Sequence, residues 1–203
     1  MASMATLTRE QIKGLIDRSV SLDLSRRDLR GLDLSRLNLS GSDLHGADLT
    51  GANLNGTDLS RSNLWYATLA DASLFKANLD GTNLRDSNLS GADLREARLW
   101  FVNLAGADLR GANLWFVNLS WIDMERAKLS EATLIGADLR GTNLRRADLR
   151  GADLREANLA GADLREARLQ EALFRETRYS ILTLWPAEFR ASRTEGLVWM
   201  DQA

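Results

Sequence analysis

Between residues 22 and 171 an apolar residue returns at every fifth position without a slip, from Leu24 to Leu169; twenty-nine of these thirty positions are Leu and one is Met124. A period of five excludes the two ordinary elements. A helix turns about 100° per residue, so each step of five would advance the side chain by about 140° and leave no dry stripe. In a strand successive side chains alternate faces, so every second Leu would point away from the core. The pattern is buried only by a chain that turns a corner every five residues and presents each Leu to one axis.

The neighbouring positions agree with such a corner. Asp or Asn precedes the apolar residue in twenty-four of the thirty units, and Ala, Ser or Thr precedes that in twenty-three. A small side chain suits an inward corner position. Asp and Asn accept hydrogen bonds from backbone at tight turns. Thirteen units end in Gly, including Gly46, Gly51, Gly91 and Gly151. A type II turn needs φ > 0 at its third residue, which Gly supplies readily. Type II corners are therefore expected at the glycines and less regular corners elsewhere.

This run of A-(D/N)-L-x-x units, about three quarters of the chain, resembles a pentapeptide-repeat protein. The resemblance implies an all-β solenoid, the right-handed quadrilateral β-helix of that family. Four corners per coil would give about 7.5 coils and a rod of about 36 Å at normal strand spacing. Three segments are expected: an N-terminal helical cap over 1–21, the β-helix over 22–171, and a degenerate last coil with a C-terminal cap over 172–203.

Thr8 and Gln11 fit a capping box, and Ile12, Leu15 and Ile16 form an apolar stripe at helical spacing. The first coil carries Leu22, Arg27, Leu32 and Leu37 where small residues are the rule. A helix laid over these bulky residues would cover the dry end of the rod and its unpaired edge. At the other end the grid is expected to continue loosely through Phe174, Tyr179 and Leu184. The run from Tyr179 through Trp185-Pro186 to Gly196 is similar to tails of cyanobacterial members of the family.

The middle departs most from the rule. Leu-Trp-Phe-Val-Asn-Leu occurs at 99–104 and again at 114–119, and Trp121 and Ile122 follow. With a twenty-residue coil, Phe101 lies under Trp121 and Val102 under Ile122, while Phe75, Arg95, Trp115 and Ile135 share a column. Trp65, Phe75, Trp100, Phe101, Trp115, Phe116 and Trp121 are candidates for a partner surface, because contiguous exposed apolar patches mark contact sites. The alternative is structural: the rings pack on one another as a ladder, or flank a widened corner.

No catalytic, metal or cofactor site is expected. The chain has no Cys and one His, His45, so it lacks a thiolate nucleophile, a thiolate ligand set and a second imidazole. Its glycines follow the five-residue grid rather than a phosphate-binding motif. A filled rod leaves no deep cleft, and an enzyme is not expected. Seven Arg and seven acidic residues balance over 137–171, which favours a solvated surface over a nucleic-acid groove. No apolar run reaches transmembrane length, and no leader is read in the first residues, so a cytoplasmic protein without membrane contact is expected.

Two functions follow. One is a non-enzymatic scaffold, with a regulatory role, whose outer faces bind an unknown protein partner. The other is implied by the resemblance, since some family members mimic duplex DNA and bind DNA gyrase to confer quinolone resistance. A duplex carries one negative charge per roughly 1.7 Å, so a rod of this length would need about twenty. The repeat stretch has a net charge of −3. A monomer or an end-to-end homodimer is open.

Overall fold

A computed structural model describes residues 7–18, 22–189 and 195–200. Parallel bridges join each residue to the one twenty positions later, beginning Asp23↔Asp43, Asp28↔Asp48, Asp33↔Asn53 and Asn38↔Asp58. The chain therefore winds in coils of twenty residues with a corner every five. We number the four faces by their leucines: face 1 from Leu24, face 2 from Leu29, face 3 from Leu34 and face 4 from Leu39. The two outward residues after each Leu are its first and second outward positions.

Every one of the thirty grid residues from Leu24 to Leu169 is buried. The preceding small residues are buried with them, and Ala47, Ala92 and Ala152 are fully enclosed. Where that position holds a hydroxyl, it is satisfied inside: Thr57, Ser62, Thr82 and Thr142 each donate to a Leu carbonyl of the preceding coil at 2.6–2.8 Å. Asp and Asn accept the amide of the residue two positions on, as in Ser25 N–H to Asp23 and Ala105 N–H to Asn103. Ser73 and Arg98 interrupt that series, and the previous coil compensates. Asn55 accepts the Phe75 amide and Asp80 accepts the Trp100 amide, each across twenty residues.

The expectation of two kinds of corner is corrected. Thirteen glycines at the second outward position have φ of 63–71°, and eighteen other residues at the same position have φ of 53–63°. Only the third residue of each turn is positive, as in a type II turn. A non-Gly residue there costs about 1–2 kcal/mol, yet Arg, Glu, Asp and aromatic residues all accept it. The reason is register: a corner of another shape would shift the next Leu off the axis and forfeit the bridges on both sides.

At the N-terminal end α1 (Arg9–Ile16) begins with the capping box of Thr8 and Gln11. Ile12 is fully buried, and Leu7 and Ile16 pack against the same core as Leu22, Leu32 and Leu37. Arg9 donates to the carbonyls of Asp33 and Ser35 and pairs with the Asp33 carboxylate, tying the helix to the first coil. Residues 1–6 and 19–21 of the expected N-terminal segment lie outside the described residues.

At the other end the grid slips. The last bridge is Asp163↔Leu184, a separation of twenty-one. The corner Ser180–Thr183, closed by a 3.0 Å bond from Thr183 N–H to Ser180 O, starts one residue late. Leu184 therefore does not continue the inward series, as expected from sequence, but takes the bridging position and is exposed. Trp185 fills the inward place, with its ring stacked on Phe189 at 4.5 Å and edge-on to Phe174 and Tyr179. Strand β1 (Thr177–Tyr179) pairs in parallel with β2 (Leu197–Trp199). Residues 190–194 and 201–203 lie outside the described residues.

Candidate interaction surface

Of the seven sequence-predicted surface residues, six gather on two adjacent faces at mid-rod. Phe75, Trp115 and Phe116 stand on face 3; Trp100, Phe101 and Trp121 stand on face 4. Trp65 does not join them. It lies on face 1, tilted against Tyr66 at 4.6 Å and stacked on His45 of the previous coil at 5.1 Å. The His45 ring also lies 3.1 Å from the Trp65 carbonyl. The sequence signal for this pair is spacing: His45 stands twenty positions before Trp65, one coil away.

The rings do not form a ladder from coil to coil. Trp115 meets Phe116 edge-on within its own turn at 5.0 Å. Phe75 is covered by cations, Lys76 at 4.8 Å and Arg95 at 5.8 Å from the ring centre. A surface cleft of about 330 Å³ opens among Phe75, Arg95, Glu96, Trp115 and Phe116. Trp121 instead leans along the rod, so that a Cβ on Gly141 would meet its ring at 2.3 Å, and Phe116 leans over Gly136 in the same manner. Phe101 is 87% exposed and Trp121 79% exposed, although each sits on an ordered corner.

The widened-corner reading has a structural counterpart. Bridges run without a gap along all four faces except one: between Asn78↔Arg98 and Asn118↔Asp138, no Arg98↔Asn118 bridge forms among the described residues. The coil-to-coil bonds that start along the rod from the amides of Leu and of the second outward residue are not formed here for Leu99 and Phe101, nor for Glu96 on the adjacent face. The neighbouring inward positions hold Val102, Val117 and Ile122 instead of Ala. All three are buried, and Val117 directly precedes the unbridged Asn118, although the next rung, Asn103↔Asp123, closes beside Val102 and Ile122. The open rung lies directly beneath Trp100, Phe101 and Trp121.

Elsewhere ion pairs recur along the outside. Seven Asp-Leu-Arg units each hold an ion pair within the turn, such as Arg150 to Asp148 and Arg155 to Asp153, both at 2.6 Å. The guanidinium hydrogen bonds hold the carboxyls of Asp148, Asp153 and Asp163 below the ordinary range, and bring Asp28 down to about 2. Counted over the repeats, faces 1, 2 and 3 each carry a net charge of −1 and face 4 carries none. Face 4 also holds the fewest charges, Asp58, Asp80 and Asp138 against Arg61, Arg98 and Arg140. Among the described residues no group of His, Cys, Asp and Glu could hold a metal ion, and no helix is long and apolar enough to cross a membrane.

The family model described as pentapeptide repeats matches in overlapping segments from 22–56 through 142–178, with eight copies. The chain belongs to the pentapeptide-repeat family. Its coil agrees with solved members. HetL from the cyanobacterium Nostoc sp. strain PCC 7120, a pentapeptide-repeat protein involved in heterocyst differentiation regulation, is 28% identical with a TM-score of 0.51, over 84% of this chain and 94% of its own. QnrB1, a plasmid-mediated fluoroquinolone resistance protein, is 20% identical; its trypsin-treated variant gives a TM-score of 0.63 over 89% of this chain and 83% of its own. Full-length QnrB1 gives 0.53 over 89% and 84%. At that identity the likeness to QnrB1 is one of fold. No curated protein matches this pentapeptide-repeat chain by sequence.

Proposed function

We propose that this pentapeptide-repeat protein is a non-enzymatic scaffold that binds protein partners through the aromatic surface of faces 3 and 4 at mid-rod. The observation that carries the reading is the exposure of Phe101 and Trp121 side by side on face 4, next to the open rung of the ladder among the described residues. Burying a large aromatic side chain yields about 1.5–3 kcal/mol by transfer. An aromatic side chain has few rotatable bonds, so covering it costs little conformational freedom. A regulatory role is in keeping with the likeness to HetL.

Duplex-DNA mimicry against gyrase is the weaker reading. It asks for a strongly acidic face, and no face departs from neutrality by more than one charge. A gyrase supercoiling assay separates the two: inhibition or protection by the parent protein would favour mimicry. The scaffold reading is tested by affinity capture from the native cell with the parent and with Trp100, Trp115 and Trp121 all changed to Ser. Loss of a stoichiometric partner from the triple variant supports it; an identical partner profile overturns it.

A further inference from the structure

Face 4 carries a pattern that matches itself when reversed; face 3 approaches one, with Arg36 opposite Glu156 and Lys76 opposite Phe116, but sets Arg95 against Arg95 and Glu96 against Glu96. Along its first outward column stand Asp80, Trp100, Ser120 and Arg140; along its second stand Arg61, Gly81, Phe101, Trp121, Gly141 and Gly161. Take a two-fold axis lying in the surface, across the rod, midway between the Phe101 and Trp121 rungs. Two copies then meet face to face with their rods antiparallel, and each column lies opposite itself in reverse order. Asp80 faces Arg140, Phe101 faces Trp121, Gly81 faces Gly141, and Arg61 faces Gly161.

The lean of the side chains improves this match. Trp121 extends over Gly141, and Arg61 extends toward Gly81, with its Cγ 3.6 Å from where a Cβ on that glycine would sit. Both lean by one rung in the same direction along the chain. In the antiparallel pair the Arg61 of one copy therefore reaches the height of the Trp121 ring of the other, twice over. Among the described residues Arg61 has no ion pair, and Trp121 has no ring contact. A guanidinium over an exposed indole is the cation–π arrangement that Arg favours at contact surfaces.

We propose that face 4 is the contact surface of an antiparallel two-fold homodimer, in which Trp121 of each copy stacks on Arg61 of the other, and Asp80, which is bonded to Arg98 of its own chain, faces Arg140, which is bonded to its own Asp138. An isologous interface requires that i meets j wherever j meets i; on face 4 this brings the cation–π pair together twice and sets Asp80 opposite Arg140, while Asp58, Arg98 and Asp138 meet Asn. It is also the face without net charge, so two copies approach without repulsion. The aromatic cleft of face 3 stays outside the interface and open to another protein. This assignment rests on the aromatic surface being a contact surface and names the occupant of one half of it.

Sedimentation velocity from about 1 to about 500 µM tests it, since a single narrow face buries less than the roughly 800 Å² per partner of a standard interface. The parent should pass from monomer to dimer across that range. Arg61→Glu and Trp121→Ser should each weaken association by about tenfold or more. Arg140→Asp should weaken it, and Asp80→Arg added to Arg140→Asp should restore it, with far-UV circular dichroism reporting that each variant is folded. A parent that stays monomeric throughout overturns the proposal. So does a dimer indifferent to Arg61→Glu, as an end-to-end pair would be. Arg61 lies outside the mid-rod partner surface, so loss of dimer by Arg61→Glu with partner capture unchanged separates this inference from the scaffold reading.

Discussion

The coils at 137–169 and those at 97–122 follow one backbone plan and differ at one inward position. In the former, Ala or Thr lies two before every Leu, each rung closes, and each Asp-Leu-Arg unit neutralises itself. In the latter, Val102, Val117 and Ile122 take that position, one rung stays open, and the outside carries Trp and Phe. Leu is buried in both regions, and a bulky inward neighbour alone does not open a rung: Asn103↔Asp123 forms beside Val102 and Ile122, while the missing rung lies between Ala97-Arg98 and Val117-Asn118.

The largest expected break in this comparison is a charge in the core. Leu149→Arg, in a closed coil, should cost more than about 4 kcal/mol and unfold the rod, because the guanidinium would find neither water nor partner. Leu99→Arg, beside the open rung, should cost measurably less; urea unfolding of both variants checks this. Next, Val117→Ala with Ile122→Ala should let the missing rung close. Amide exchange at Leu99 and Phe101 should slow toward that of closed rungs, although removing buried methylene groups costs about 0.8 kcal/mol each. Equal exchange before and after would uncouple the methyl groups from the gap.

Acid should act on the closed region first. The Asp carboxyls of the Asp-Leu-Arg units are depressed by their Arg partners, as Asp28 is to about 2. A depressed carboxyl contributes stability above its unfolded value near 4 and loses it as pH falls through the folded value. The melting temperature should thus stay level from pH 8 to about 5 and drop between about pH 4 and 2. Arg155→Gln should flatten that drop.

A smaller gain is expected from Glu156→Gly, which relieves a left-handed corner at φ of 61°. The relief of about 1 kcal/mol is partly offset by the freedom Gly adds to the unfolded chain. Phe101→Ser should change thermal stability least, within about 0.5 kcal/mol, because that ring is almost fully in water. A larger loss in the melting curve would assign the ring to folding rather than to contact.

The leucine column, the buried small residues and the Asx bonds were legible from the five-residue period, because burial depends on direction alone. The four-cornered closure came from the family resemblance. The uniform left-handed corners were not legible: local preference favours Gly, whereas the bridges on either side decide the shape. The shift after Ser180 escaped notice because Leu184 happens to keep the period while Trp185 does the packing. At the candidate surface the seven residues were readable as outward, but not their grouping. Whether a ring leans along the rod or onto its neighbour depends on what stands twenty residues away, a Gly for Trp121 and a His for Trp65.

The separation of twenty residues between bridged partners, twenty-one at the last bridge, has a consequence for biosynthesis. As the polypeptide emerges from the ribosome, each newly finished winding finds its template already in place, namely the winding completed just before it. No segment must wait for a distant stretch of sequence, so folding can keep pace with translation from the N-terminal end, as a thread is laid turn by turn on a spool.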